Sequence, residues 1–156
     1  MVKKSSFLLM LTLILASCDF TPTDYRITID RSTRGGGLFQ LSGSELHQLA
    51  IVEEKNLVVL FSLESCESCL FAKEQLTAYG KLKKCDMFYV DFSEIGESEY
   101  NILYETTNYI NDAYALPVYG EEIFLPKCYI FSKQAIIVTF SNDYVEKLDT
   151  YIKISE

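Results

Sequence analysis

The chain has 156 residues, 49% hydrophobic and 23% charged, enough for one ordinary domain with a real core and too little for two. Fourteen lysines and arginines stand against 22 acidic residues, a net charge of −8. That sign repels phosphate backbones and no basic stripe reverses it, so no nucleic-acid partner is expected.

The first eighteen residues read MVKKSSFLLMLTLILASC: a basic start at Lys3 and Lys4, an apolar run over residues 7–16, and small residues before Cys18. The run is short for a bilayer span, and the order basic, apolar, small is that of a cleavable export signal. Leu15-Ala16-Ser17-Cys18 resembles a bacterial lipobox. That resemblance implies cleavage before Cys18, whose thiol is lipidated and which becomes the new N-terminus. A plain signal peptide cut nearby, or an uncleaved membrane helix, are the competing readings. The lipobox reading makes 1–17 a signal peptide, 18–41 a lipid-anchored tether and 42–156 the folded domain. It places that domain on the extracytoplasmic side of a membrane in the cell envelope, held by more than one acyl chain and hence firmly. Loss of Lys3 and Lys4 makes the mature chain more negative by two charges.

Residues 19–44 mix Thr, Ser and Asp with the run Gly35-Gly36-Gly37. They read as tether or turn, with one short strand over 25–29 where Tyr25, Ile27 and Ile29 alternate with polar residues. The glycines lack the downstream glycine and lysine of a phosphate loop. Ser44 precedes Leu46, Leu49 and Ala50, a short amphipathic helix with Ser44 as its cap. LVVLFSL at 57–63 is a continuous apolar run of the kind buried on both faces of a sheet. Cys69, Ala72, Leu76 and Tyr79 then step by three and four, predicting a helix that ends near Gly80 or Lys84. MFYVDF at 87–92 is a second buried strand.

Tyr100, Leu103, Thr107, Ile110 and Tyr114 predict another helix, stopped before Pro117. The strands at 128–131 and 135–140 are joined by only Ser132-Lys133-Gln134, which forces an antiparallel hairpin. Asn142 is placed to cap a last helix carrying Val145, Leu148 and Ile152. The order β-α-β-α-β-β-α makes the first two strands parallel and adds the hairpin to the same sheet. The fold class is α/β: a mixed sheet flanked by helices, with the cysteine pair at a strand-to-helix junction.

Of five cysteines, Cys18 goes to lipid, and export leaves Cys66, Cys69, Cys85 and Cys128 outside the reducing cytosol. Cys66-Glu67-Ser68-Cys69 has the spacing of a redox dithiol, of half a metal site, or of an inert disulfide. A zinc site needs two more ligands; Cys85 and Cys128 are singletons and the lone histidine, His47, is distant in sequence, so neither metal nor other cofactor is expected. Cys85 is expected at the sheet end opposite the motif as a buried apolar residue. Cys128 is expected at the motif end, where exchange with the pair stays open. A Cys85–Cys128 bridge is not expected, because the central strand lies between theirs. His47 reads as surface. Tyr104 and Tyr109 fall off the apolar stripe of their helix.

Together these features resemble the thioredoxin superfamily over roughly 42–154. Cys66-Glu67-Ser68-Cys69 follows the first buried strand and opens a helix, and Leu125-Pro126-Lys127-Cys128-Tyr129-Ile130-Phe131 resembles the segment in which a cis-proline enters the next core strand, with Pro117 as the rival proline. The resemblance implies a three-layer fold, Cys66 as nucleophile and Cys69 as resolving thiol. It also implies that Pro126 shapes a substrate groove, with Leu125 meeting substrate backbone. The implied partners are exported or envelope proteins with thiols or disulfides.

Departures from the family pattern are informative. Ser65 stands where a tryptophan precedes the first cysteine, and Leu60 where reducing members carry a buried aspartate. Glu67 lies inside the motif and Glu64 just before it. Like charge raises a thiol pKa, so the couple is expected to be mildly reducing or isomerase-like rather than strongly oxidising. The competing reading is a redox-inactive thioredoxin-like lipoprotein that binds a partner or serves as an envelope component.

Overall fold

The computed structural model describes residues 24–108, 115–133 and 135–156. The centre of the molecule is β3 (Leu57–Ser62), all six residues of which are buried. Such a strand needs cover on both faces, and its side chains alternate accordingly. Val58 and Leu60 enter one core, while Leu57, Val59 and Phe61 enter the other. Strand β3 pairs in parallel with β4 (Asp86–Asp91), which pairs in parallel with β2 (Gly37–Gln40). On its other side β3 pairs antiparallel with β5 (Lys127–Ser132), and β5 forms the expected hairpin with β6 (Ala135–Phe140). The five-stranded order is β2-β4-β3-β5-β6.

Two layers of helix cover this sheet. On one face lie α2 (Glu67–Lys83) and α4 (Tyr144–Tyr151), which bury Ala72, Leu76, Tyr79 and Leu148 against Val58, Leu60, Met87 and Ile130. On the other lie α1 (Gly43–His47), continued by a π-helical turn (Gln48–Val52), and α3 (Glu97–Asn108). These bury Leu46, Ala50, Tyr100 and Leu103 against Val59, Phe61, Tyr129 and Phe131. Each fully buried large side chain contributes roughly 1.5–3 kcal/mol relative to its exposed state. The predicted α/β class with a mixed central sheet flanked by helices is the one observed.

Several local expectations are corrected. The stretch 25–41, expected as tether with one strand, carries two. Strand β1 (Ile27–Ile29) pairs in parallel with a terminal strand β7 (Ile152–Ile154), and β2 is an edge of the main sheet. The glycine run between them is a built turn. Gly36 has φ +79°, and a Cβ there would run into the Gly80 carbonyl and lie 2.7 Å from the Cys85 amide, so only glycine fits. Ser42, not Ser44, caps α1. Its hydroxyl accepts from the Glu45 amide at 3.2 Å while the Glu45 carboxylate accepts from the Ser42 amide at 2.8 Å, because the acid three residues on completes a reciprocal cap only for Ser42.

Asp143 with φ +52°, not Asn142, occupies the cap of α4, and Ile152 begins β7 instead of extending the helix. Helix α3 starts three residues before Tyr100; Ile110 and Tyr114 of its expected stripe, and Tyr109, lie outside the described residues. His47 is half-buried, not free on the surface: its Nδ1 is 2.9 Å from the Thr106 hydroxyl, tying α1 to α3.

Candidate functional site

Beyond Ser62 the chain leaves the sheet, and the Glu64 amide donates to the Ser93 hydroxyl at 2.7 Å, anchoring the strand exit to the loop after β4. Cys66 follows in extended backbone (φ −99°, ψ 113°) as the N-cap of α2, and its Sγ accepts from the Cys69 amide at 3.2 Å. Sulfur thus stands where a capping oxygen normally would, facing the unpaired amides and the positive end of the helix dipole. Cys66 and Cys69 form a disulfide with their Cα atoms 5.1 Å apart. The two halves differ in access: Cys66 is partly exposed, whereas Cys69 is fully buried. Ser68 brings its hydroxyl within 3.2 Å of the Cys66 Sγ. Glu64 and Glu67 are exposed on either side of Cys66, and their charge opposes a thiolate that the helix end favours.

Beneath the pair, Leu60 is fully buried on the α2 side of the sheet. Two polar residues missed by sequence reasoning lie nearby, Asp91 on the adjacent strand β4 and Lys73 on α2. Asp91 is the cross-strand partner of Ser62 and pairs with Lys73 at 3.4 Å, the two side chains being 14% and 18% exposed. Burial opposes the Asp91 charge, but the Ser93 hydroxyl and amide together with Lys73 outweigh it and hold the carboxyl below its ordinary range. The signal for Lys73 was its place one helical turn after Cys69, on the same side of the helix; Asp91 was hidden at the end of an apolar strand.

The Leu125–Pro126 peptide is cis. Pairing of Phe61 with Lys127 sets Pro126 opposite Ser62, at the sheet end from which the chain runs into Cys66. Pro126 is buried and Leu125 half-buried. Pro117, the rival, instead gives its carbonyl to the Tyr100 hydroxyl at 2.8 Å.

Cys85 and Cys128 are free and buried. Cys85 precedes β4 at the end of the sheet away from the pair, and burial, reinforced by Asp86, pushes its thiol up to about 11. Cys128 sits opposite Leu60 in the α2-side core, where burial pushes its thiol well above the ordinary range. Strand β3 separates the strands of the two. Among the described residues no group of three His, Cys, Asp or Glu side chains is placed to hold a metal ion. Cys18 and the whole export segment lie outside the described residues.

No protein-family model matches the chain, and no curated protein matches it. Among solved structures it is similar to a chain from the crystal structure of a ferredoxin:thioredoxin reductase and thioredoxin f2 complex. That match has 8% identity and a TM-score of 0.51, and covers 72% of this chain and 90% of the other. The fold is thioredoxin-like. Thioredoxin O1 from Arabidopsis thaliana in its oxidized state is also similar, at 18% identity and a TM-score of 0.49, over 72% of this chain and 92% of that one. In this thioredoxin-like domain the disulfide occupies the start of the helix after the central strand, and the cis-proline stands at the same end of the sheet.

Proposed function

We propose that the protein is a thiol–disulfide oxidoreductase, with Cys66 as nucleophile and Cys69 as resolving thiol. The observation that carries this reading is the asymmetric disulfide at the N-terminus of α2, one sulfur partly exposed at the cap and the other buried. In the reduced protein, helix amides stabilise the Cys66 thiolate, which attacks one sulfur of a partner disulfide. A Cys66–partner bond forms as the partner's own S–S bond breaks, and the released partner thiolate takes a proton. The Cys69 thiol then loses its proton and attacks the Cys66 Sγ, expelling the second partner thiolate and closing the intramolecular bond. The partner gains two electrons and the Cys66–Cys69 pair loses two; the reverse sequence oxidises a partner dithiol.

Pro126 and Leu125 shape the groove where partner backbone lies. The partners are exported or envelope proteins bearing cysteines. The protein works on the extracytoplasmic side of a membrane, 1–17 being removed and Cys18 lipidated. The acidic flanks at Glu64 and Glu67 set the couple toward the mildly reducing or isomerase range.

Full-length protein in detergent, assayed for insulin reduction beside Cys66→Ser, tests the enzyme reading. Turnover by the wild type and none by the variant is expected. An inactive wild type would leave the second reading, an inert disulfide in a binding or structural lipoprotein, which the fully apolar Leu60 environment favours. Acyl groups found on Cys18 by mass spectrometry test the anchor, and an unmodified Cys18 would contradict it.

A further inference from the structure

Beside the Leu125–Pro126 turn, on the α3 side of the sheet, a cavity of about 590 Å³ opens to the surface. Its wall is about half polar: Leu116, Pro117, Ile123 and Phe124 supply apolar surface, and Lys127 and Tyr129 are among the polar residues that line it. Among the described residues neither has a hydrogen-bond or ion-pair partner: Tyr129 is fully buried and its hydroxyl meets none of their polar atoms. The carbonyl of Pro117 on the same wall is already taken by Tyr100. Burying a hydroxyl without a partner costs on the order of 1–3 kcal/mol, and such a group is normally satisfied by something that binds.

Lys127 is half-buried, and its ammonium lies 5.5 Å from the centre of the Tyr129 ring. Among the described residues it forms no ion pair, although Glu121 and Glu122 are exposed on the same rim. Burial alone pulls the Lys127 amine down, as expected of a cation that has lost water without gaining an anion. The phenol, held neutral by its own burial, can donate as well as accept, whereas an ammonium only donates, so donation is what the two groups share. The ligand that satisfies both is an acceptor, and next to a half-buried cation the best acceptor is a carboxylate.

The cavity's position says where that carboxylate comes from. Phe124 and Lys127 bracket the cis peptide and both line the cavity, so a polypeptide lying along Leu125 passes its mouth. Phe124 is 79% exposed and offers that polypeptide an apolar edge. Glu121 and Glu122 repel a multiply charged anion such as phosphate more than a single carboxylate.

Resting on the oxidoreductase reading above, we propose that this cavity is a specificity pocket for the partner polypeptide. It accepts an acidic side chain flanking the partner cysteine, with Lys127 as counter-ion and the Tyr129 hydroxyl as buried donor.

The probe is a set of dye-labelled peptides carrying S-methylcysteine, with one glutamate placed one, two or three residues to either side, each beside its glutamine counterpart. Binding is read by fluorescence polarisation on the full-length protein in detergent. At one or two positions the glutamate peptide should bind about tenfold tighter than its glutamine twin, the worth of a charge-assisted hydrogen bond at a partly buried site. Lys127→Gln should abolish that preference. Tyr129→Phe should weaken the glutamate peptide about threefold while leaving the thermal midpoint unchanged or higher, because the hydroxyl it removes has no partner among the described residues. Equal or absent binding of the twins at every position, or a preference that survives Lys127→Gln, overturns the proposal. S-methylcysteine cannot exchange, so a glutamate preference in a protein that fails to reduce insulin upholds the pocket and sinks only the enzyme reading.

Discussion

Replacing Gly36 by alanine tests whether the glycine turn belongs to the fold. At φ +79° an alanine pays roughly 1–2 kcal/mol for the left-handed region. The new methyl group also meets backbone, not a movable side chain: the Gly80 carbonyl inside α2, the Cys85 amide at 2.7 Å and the Cys85 carbonyl at 2.9 Å. Forcing these apart adds about 1–3 kcal/mol, giving a total near 3 kcal/mol. Gly35 is the internal control, since its φ is +94° but nothing lies within 4 Å of a Cβ there. Gly35→Ala should carry the conformational cost alone, about 1 kcal/mol. With a urea slope of about 1–3 kcal/mol/M, far-UV circular dichroism should find the midpoint lowered by about 1–3 M for Gly36→Ala and, on the same slope, by about a third of that for Gly35→Ala. Equal shifts for the two would refute the close packing of the turn against α2.

Two further outcomes follow from the site. Asp91 is held below its ordinary range in the folded state, so its contribution is present above the unfolded value near 4 and is lost as pH falls through the depressed folded value. Asp91→Asn should therefore be less stable than wild type at pH 7 by roughly 1 kcal/mol, with the gap closing below about pH 4 in thermal melts; a gap independent of pH would contradict the Lys73 pairing. In the reduced native protein, iodoacetamide at pH 8 should modify Cys66 first and leave Cys85 and Cys128 untouched until denaturant is added, because a thiol near 11 is only about one part in a thousand ionised at that pH. Peptide mapping that finds either core cysteine labelled as fast as Cys66 would contradict their burial.

What the sequence revealed and what it hid divide along physical lines. An unbroken apolar run such as Leu57 to Ser62 can only be central, so the middle of the sheet, the junction bearing Cys66 and Cys69, and the hairpin were legible. The choice of Pro126 over Pro117 was legible too, because a short strand–turn–strand unit follows it directly. The edges were not. Strand β7 is three residues long and exists through pairing with β1 more than a hundred residues earlier, which leaves no local period to read. Gly35 to Gly37 have the composition of a linker, and only the distant Gly80 and Cys85 explain why that position must lack a side chain.

Ser42 and Ser44 are equally good caps by residue type; the Glu45 carboxylate and the docking of the Gly43 amide on Glu99 at 2.7 Å decide between them. The unmet hydroxyl of Tyr129 was invisible for a different reason. In sequence it is one aromatic among many in a core strand, and only the cavity beside it makes it polar in consequence.

The central claim is that Cys66 and Cys69 are a working couple, and a redox titration tests it most directly. The full-length protein is equilibrated in glutathione or dithiothreitol buffers of defined ratio, then trapped with acid and alkylated for mass analysis. The account predicts a reversible two-electron transition of the Cys66–Cys69 pair between about −180 and −270 mV, with Cys85 and Cys128 reduced throughout. A bond that stays closed at potentials below about −300 mV would mark it as a structural staple and contradict the account.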